Sequence, residues 1–379
     1  MKVGIMTMQR IHNYGSFLQA YGLKKLIEEQ GHEVVFVDYR FEPAVQDRGT
    51  WKASVVYRWM ENIRHKMGVC KKQILEKYGK KELSDLTRFE LDFETKYLRE
   101  LGVPAKKNYR AGVDILVIGS DEVFNCTQGN AVGYSRELFG RGNRAGKVIS
   151  YAASFGNTTV EKLEKSGIKE EVSELLTHFS ALSVRDRNSC EAVRELTGKE
   201  VPVLLDPVLI YGFCREREVK AASVPQKDYI LVYGYNQRIT EAEGELIREF
   251  AGKKGKKLIA MGGNQSFCDE YAYCGPLEIF QYFMNADSVI TDTFHGTIFS
   301  VLTHSRFATI VREDAEAGGY GNQEKLGDLL QRLQVEQQKI SDLSQLEEIL
   351  TQPVDFELTE EILREERKKA RNFLKEELK

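Results

Sequence analysis

Short, wholly apolar runs alternate with longer amphipathic stretches along most of the chain, a pattern that predicts buried parallel strands joined by crossover helices. KVGIMTM predicts a first strand. SFLQAYGLKKLIEEQGH follows, with Phe17, Leu18, Tyr21, Leu23 and Ile27 at helical spacing, and Gly31 stops it before the strand EVVFVDYR. DILVIGSD, GKVISYAASFG, ALSVRD and VPVLLDP continue the strand series. A charged stretch without period, residues 212–228 with Pro225, then breaks the pattern. It resumes with YILVYGY, a helix through EGELIREFAGKKG, and the strands KKLIAMGG, DSVITD and RFATIVRED. Two α/β domains in tandem are therefore expected, over 1–215 and 226–345, the second carrying the His295 segment. Residues 43–104 read as a helical insertion in the first domain. Residues 355–379 read as a charged helix packing across the domains, capped by Thr359 and carrying a Glu365–Lys369 pair.

Composition narrows the class. A chain of 379 residues exceeds one small core, and 42% apolar with 29% charged residues is ordinary for a soluble globular protein. A net charge of −3 argues against nucleic acid as a partner. The N-terminal apolar run breaks at Gln9 and Arg10, as a buried strand does and a signal peptide does not, and no stretch approaches the roughly 18 apolar residues of a membrane span. The expected location is cytoplasmic. The six cysteines are scattered without a C-x-x-C pair, consistent with free thiols. Within 51–81, nine Lys or Arg face only Glu61 and Glu76, and both tryptophans, Trp51 and Trp59, lie there. That segment is either the solvated basic face of an insertion or a peripheral contact for anionic membrane or a lipid-linked acceptor.

Ligands in open parallel sheets bind beyond the carboxyl ends of the strands, which turns the strand reading into a site map. Asn13 and Gly15 lie between the first strand and its helix; Ser120 and Asp121 leave a later strand; Ser154 and Arg185 follow two more. The second half supplies Gly262 and Gly263, then Asp292, Thr293, His295, Gly296 and Thr297 in TDTFHGT. Alternatives stand beside several of these. Asn13 and Gly15 also fit plain turn chemistry, Ser120 and Asp121 a helix cap, and Arg185 an ion pair with Asp186. Asp206, before Pro207, reads as a strand end shaping the interdomain connection. His295 stands apart from the other histidines because Thr291, Asp292 or Thr293 can cap its helix, and Gly296 can admit a ligand close to the backbone. A general acid armed by its own anionic substrate fits that setting. GRGNRAGKV fails as a phosphate loop at Arg141 and Val148, and D-x-D, G-x-S-x-G and H-E-x-x-H do not occur, so no metal site is expected.

The blocks GIMTMQRIHNYGSFLQAYGLKKLIEEQGHEVVFVDYR, VIGSDEVFN, SYAASFG, LSVRDRNS, LLDPVLI and DSVITDTFHGTIFSVL, in this order, resemble the polysaccharide pyruvyl transferase family. The resemblance runs from residue 2 to about 335. It implies an α/β fold of two Rossmann-like domains facing a cleft, GT-B-like, and transfer of a pyruvyl group from phosphoenolpyruvate to paired sugar hydroxyls as a cyclic ketal in bacterial polysaccharide synthesis. It implies no cofactor, with phosphoenolpyruvate as donor substrate and a saccharide as acceptor. The family's general acid falls on His295 and its "SVRD" arginine on Arg185, a guanidinium suited to carboxylate or phosphate. Some members carry an arginine two residues before the histidine, where this chain has Thr293, so a cation is expected from Arg312, Lys325 or Arg238. Two other readings use the same fold: a metal-independent glycosyltransferase taking a nucleotide sugar, and a non-catalytic sugar-binding relative.

Overall fold

The computed structural model describes residues 1–42, 45, 85–127, 134–213, 228–236, 238–312 and 323–379. The basic segment 51–81 and most of the expected insertion lie outside the described residues. The described end of that insertion is helical, from Asp85–Asp92 through Phe93–Tyr97 to Leu98–Leu101. The chain forms two compact units: Met1–Gln9 with Gly31–Val203, and Arg10–Gln30 with Leu204–Lys379. Residues 10–30 and 204–213 thus fall in the second unit, although the sequence pattern assigned them to the first domain. Packing is the reason. Helix α1 (Tyr14–Glu28) buries Phe17, Leu18, Leu23, Leu26 and Ile27, each worth about 1.5–3 kcal/mol. It lies across a short helix that follows Leu205, where a side chain on Gly22 would come within 2.8 Å of the Pro207 carbonyl oxygen.

The first unit is built on a parallel sheet ordered β2-β1-β3-β4, with β1 at Lys2–Met6, β2 at Glu33–Phe36, β3 at Ile115–Ile118 and β4 at Lys147–Ser150. β1 and β3 are buried almost throughout, as expected of strands covered on both faces. ALSVRD and VPVLLDP do not form strands. They add only isolated parallel bridges, Ile149 to Ala181, Ala153 to Val184 and Val184 to Val203. Serine hydroxyls occupy the places of ladder bonds here: Ser150 Oγ donates to the Ser183 carbonyl at 2.9 Å, and Ser183 Oγ donates to the Ser150 carbonyl at 2.9 Å. Helix α2 (Arg187–Thr197) follows, capped by Asp186, which accepts from Ser189 N at 2.9 Å.

The second unit carries six parallel strands ordered β10-β9-β8-β5-β6-β7. They are β5 (Tyr229–Tyr233), β6 (Lys257–Met261), β7 (Glu270–Tyr271), β8 (Ser288–Thr291), β9 (Phe307–Ile310) and β10 (Lys339–Ile340). Its helices include α3 (Pro207–Tyr211), α4 (Glu241–Lys254), α5 (Phe294–Leu302) and α6 (Phe356–Glu377). Ile230, Val232, Ile247, Leu258 and Ile290 form one core on this sheet. α6 is capped by Asp355, accepting from Leu358 N at 3.0 Å, and not by Thr359, which is buried inside the helix. Lys369 pairs with Glu366 at 3.6 Å rather than with Glu365. Both units are α/β with parallel sheets.

Candidate active site around His295

The strand order of the second unit reverses at β5 and β8. The chain runs from β5 outward through β6 to β7, then returns to lay β8 on the other side of β5. Loops leaving the carboxyl ends of two such strands part in opposite directions and leave a crevice, where ligands of open α/β sheets bind. The loop after β8 is Asp292-Thr293, and the loop after β5 begins at Gly234. A side chain on Gly234 would stand 3.2 Å from Asp292 Oδ1, so the two loops meet.

Most polar side chains of TDTFHGT are spent on building the turn. Thr293 is the cap of α5: its Oγ1 accepts from Gly296 N at 2.9 Å. Thr291 Oγ1 accepts from Thr293 N at 3.1 Å, and Thr297 Oγ1 donates to the Thr293 carbonyl at 3.1 Å while meeting Thr309 Oγ1 at 3.0 Å. A Cβ on Gly296 would fall 2.1 Å from Thr291 Oγ1 and 2.7 Å from Tyr233. The space at Gly296, expected to admit a ligand, is filled by the chain's own side chains. Gly263 is similar: its Cβ would lie 2.3 Å from Asn236 N, and Gly262, at φ +85, packs beside Tyr233. These glycines let the β5 and β6 loops close on one another.

Asp292 is fully buried and holds two guanidiniums, Arg238 Nε at 3.1 Å and Arg312 Nη1 at 3.1 Å. Arg312 also grips Glu243 of α4 at 2.8 Å. Two of the three cations expected to replace the missing arginine therefore converge on the carboxylate next to Thr293. Lys325, the third, sits on the helix Gln323–Arg332.

His295 occupies the first turn of α5, with its side chain 7% exposed. Aromatic edges bracket it: Phe294 at 5.6 Å in a T-shaped contact and Phe299 at 6.1 Å. Gly15 of α1 lies directly beneath, where a Cβ would fall 2.2 Å from Nδ1. Only glycine fits this contact, and no turn argument reveals it. Asn13 caps α1, accepting from Ser16 N at 2.7 Å. Tyr14 anchors that helix end in the second unit, its hydroxyl donating to the Cys274 carbonyl at 3.2 Å and accepting from Cys274 N at 3.1 Å. Burial, with Cys274 beside it, holds this phenol well above its ordinary pKa, so it stays neutral. Asp206 lies on the far side of the ring, with Oδ2 3.6 Å from His295 Nε2. It ends no strand. It caps α3 through Val208 N at 3.0 Å. Sequence reasoning passed over it because Asp206 before Pro207 reads as a strand end, and nothing in the linear chain places residue 206 beside residue 295.

The remaining candidates lie in the first unit. Arg185 is buried, its Nη1 3.7 Å from Asp121 Oδ1, a carboxylate neighbour, while Asp186 serves the cap of α2. Ser154 Oγ donates to Asp186 Oδ2 at 2.5 Å and accepts from Gly156 N at 3.0 Å. Ser120 Oγ donates to the Ala152 carbonyl at 2.8 Å, and Asp121 adopts φ 72 in a turn rather than capping a regular helix. Ser120, Asp121, Ser154 and Arg185 thus share the ends of β3 and β4 and the bridge segment after them.

Among the described residues, no group of three or more His, Cys, Asp or Glu could hold a metal ion. Among the same residues, no helix is long and apolar enough to cross a membrane. Comparison with curated proteins gives no match. Among solved structures, the UDP-GlcNAc 2-epimerase of Methanocaldococcus jannaschii, in complex with UDP-GlcNAc and UDP, is similar at 12% identity and TM-score 0.49, over 96% of this chain and 99% of that one. The spinosyn rhamnosyltransferase SpnG, complexed with thymidine diphosphate, is similar at 12% identity and TM-score 0.44, over 99% of each chain. The UDP-GlcNAc 2-epimerase of Neisseria meningitidis, bound to UDP-GlcNAc, is similar at 9% identity and TM-score 0.44, over 96% and 99%. Likenesses this distant assign no substrate. The family model described as polysaccharide pyruvyl transferase matches residues 13–313, which span α1, Arg185, Asp206 and the His295 turn. The chain belongs to the polysaccharide pyruvyl transferase family and is a transferase of that kind.

Proposed function

We propose that this protein transfers a pyruvyl group from phosphoenolpyruvate to two hydroxyls of a saccharide, forming a ketal in cytoplasmic steps of bacterial polysaccharide synthesis. The observation that carries the reading is His295. Its imidazole stands in the first turn of α5, over the first turn of α1, with a buried carboxylate at its far edge. Ketal formation needs a proton on the donor's methylene carbon, addition of one hydroxyl at the neighbouring carbon, and loss of phosphate as the second hydroxyl adds. An imidazolium supplies the proton. Helix N-termini favour the anionic groups that arrive with it. Arg185 is proposed as a guanidinium for donor carboxylate or phosphate, and the family supplies the saccharide acceptor. None of these three steps calls for a resident cofactor.

Phosphate release from phosphoenolpyruvate in the presence of candidate oligosaccharides tests the reading, with mass spectrometry of the acceptor to detect the ketal. His295→Ala is expected to lower kcat on the order of 100- to 10,000-fold. Wild-type turnover in that variant, or release of a nucleoside diphosphate from a nucleotide sugar in place of phosphate, would overturn it.

A further inference from the structure

Asp206 is the charged side chain in ion-pair range of the His295 ring among the described residues. It is fully buried, and its two oxygens have separate tasks. Oδ1 accepts from Val208 N at 3.0 Å, which caps α3 and fixes the carboxylate in place; Oδ2 faces His295 Nε2 at 3.6 Å. Nε2 is itself buried and without a hydrogen-bond partner. Among the described residues, the Phe294 and Phe299 rings of its own helix and the Gly15 backbone of α1 also face the ring, and none of them titrates. A carboxylate this deep needs a positive or proton-bearing neighbour, and removing one partner of such a pair is costly. The ring nitrogens are thus divided: Nε2 on the Asp206 side, Nδ1 on the side of α1's first turn.

We propose that Asp206 is a positioning residue that holds the Nε2 proton of His295 and so leaves Nδ1 as the nitrogen that gives up its proton. This rests on the reading of His295 as proton donor. In the step, the Nδ1–H bond breaks and its electron pair stays on nitrogen. The π pair of the donor's methylene carbon takes the proton, and the carbon bearing phosphate accepts the sugar hydroxyl, whose own proton passes to solvent. The ring ends neutral, with its hydrogen on Nε2 facing Asp206.

Nitrogen-15 spectra of the imidazoles in the full chain test the assignment, using His295→Asn to identify the signal and Asp206→Asn to remove the charge. Asparagine keeps the oxygen that caps α3, so the fold is expected to survive. The expected result is a neutral His295 with its hydrogen on Nε2 in the wild type, and loss of that preference in Asp206→Asn. A wild-type ring carrying hydrogen on Nδ1, or a tautomer unmoved by the substitution, would overturn the proposal. These spectra need no turnover, so they decide the role of Asp206 even where the donor assignment fails. In turnover, Asp206→Asn is expected to lower kcat at least roughly tenfold with KM unchanged. A wild-type kcat in that variant would mean that Asp206 is structural only.

Discussion

Gly15 shows how a single residue carries information that its local sequence does not. In HNYGS it fits a glycine left in a turn to bring backbone to a ligand. In the structure it is a helical residue, and the missing Cβ is the room that the His295 ring occupies, 2.2 Å from Nδ1. Gly15→Ala would drive a methyl group into the imidazole or push α1 away from α5. Overpacking of this kind costs about 1–3 kcal/mol. Urea denaturation should show a loss of that size, and turnover should fall by at least roughly tenfold because the ring is displaced. A variant with wild-type kcat would mean that the ring position is unimportant to the chemistry. His295 itself was singled out as a candidate from the sequence, since a lone histidine before glycine after Thr-Asp-Thr has little packing value. Asp206 was not, because its significance lies in a contact 89 positions along the chain.

At the scale of elements, the strands and helices that read most clearly are those whose burial is uniform. KVGIM, ILVI, YILVY and SVIT are strands within a residue or two of their apolar limits. ALSVRD and VPVLLDP looked equally good and form only bridges, because hydroxyls of Ser150 and Ser183 satisfy backbone groups that a ladder would pair. The C-terminal helix was visible from its charge pattern, but its cap and its docking were not. α6 is held to the turn after α5 by His304, which stacks on Phe356 at 4.6 Å and meets Glu360 at 3.3 Å. Hydrogen bonding from His304, with Arg367 beside it, pulls the Glu360 carboxyl from 4.5 down to about 2. A carboxyl depressed on folding adds stability that is complete above about pH 4.5 and lost as pH falls towards 2. Glu360→Gln should therefore flatten the dependence of the denaturation midpoint on pH across that window and leave a smaller midpoint at pH 6. An acid limb as steep as that of the wild type would exclude this pair as its source.

For the whole molecule, the division of the chain matters more than the list of elements. Residues 10–30 leave the first unit directly after β1, contribute α1 to the second, and the chain then returns to lay down β2. The second unit is consequently not a contiguous segment. A fragment starting at Leu204 would lack α1 and expose the face of α3 that α1 covers, including the contact at Pro207. Such a fragment is expected to bind a hydrophobic dye and lack a cooperative thermal transition, and residues 10–30 supplied through a linker should restore one. A cooperative transition in the unlinked fragment would show that α1 is dispensable to the second unit.

The sequence alone determined the α/β class, the parallel strands and the family, because apolar periodicity and short motifs are local properties that survive without coordinates. It also singled out His295. Only the tertiary structure decided which unit α1 completes, why Gly15, Gly263 and Gly296 are glycines, and that Arg238 and Arg312 close on Asp292 while Asp206 stands by the imidazole. Periodicity reports that a face is buried but not against what. Partners such as Asp206 and His295 are joined by packing between distant helices, a property that no window along the chain contains.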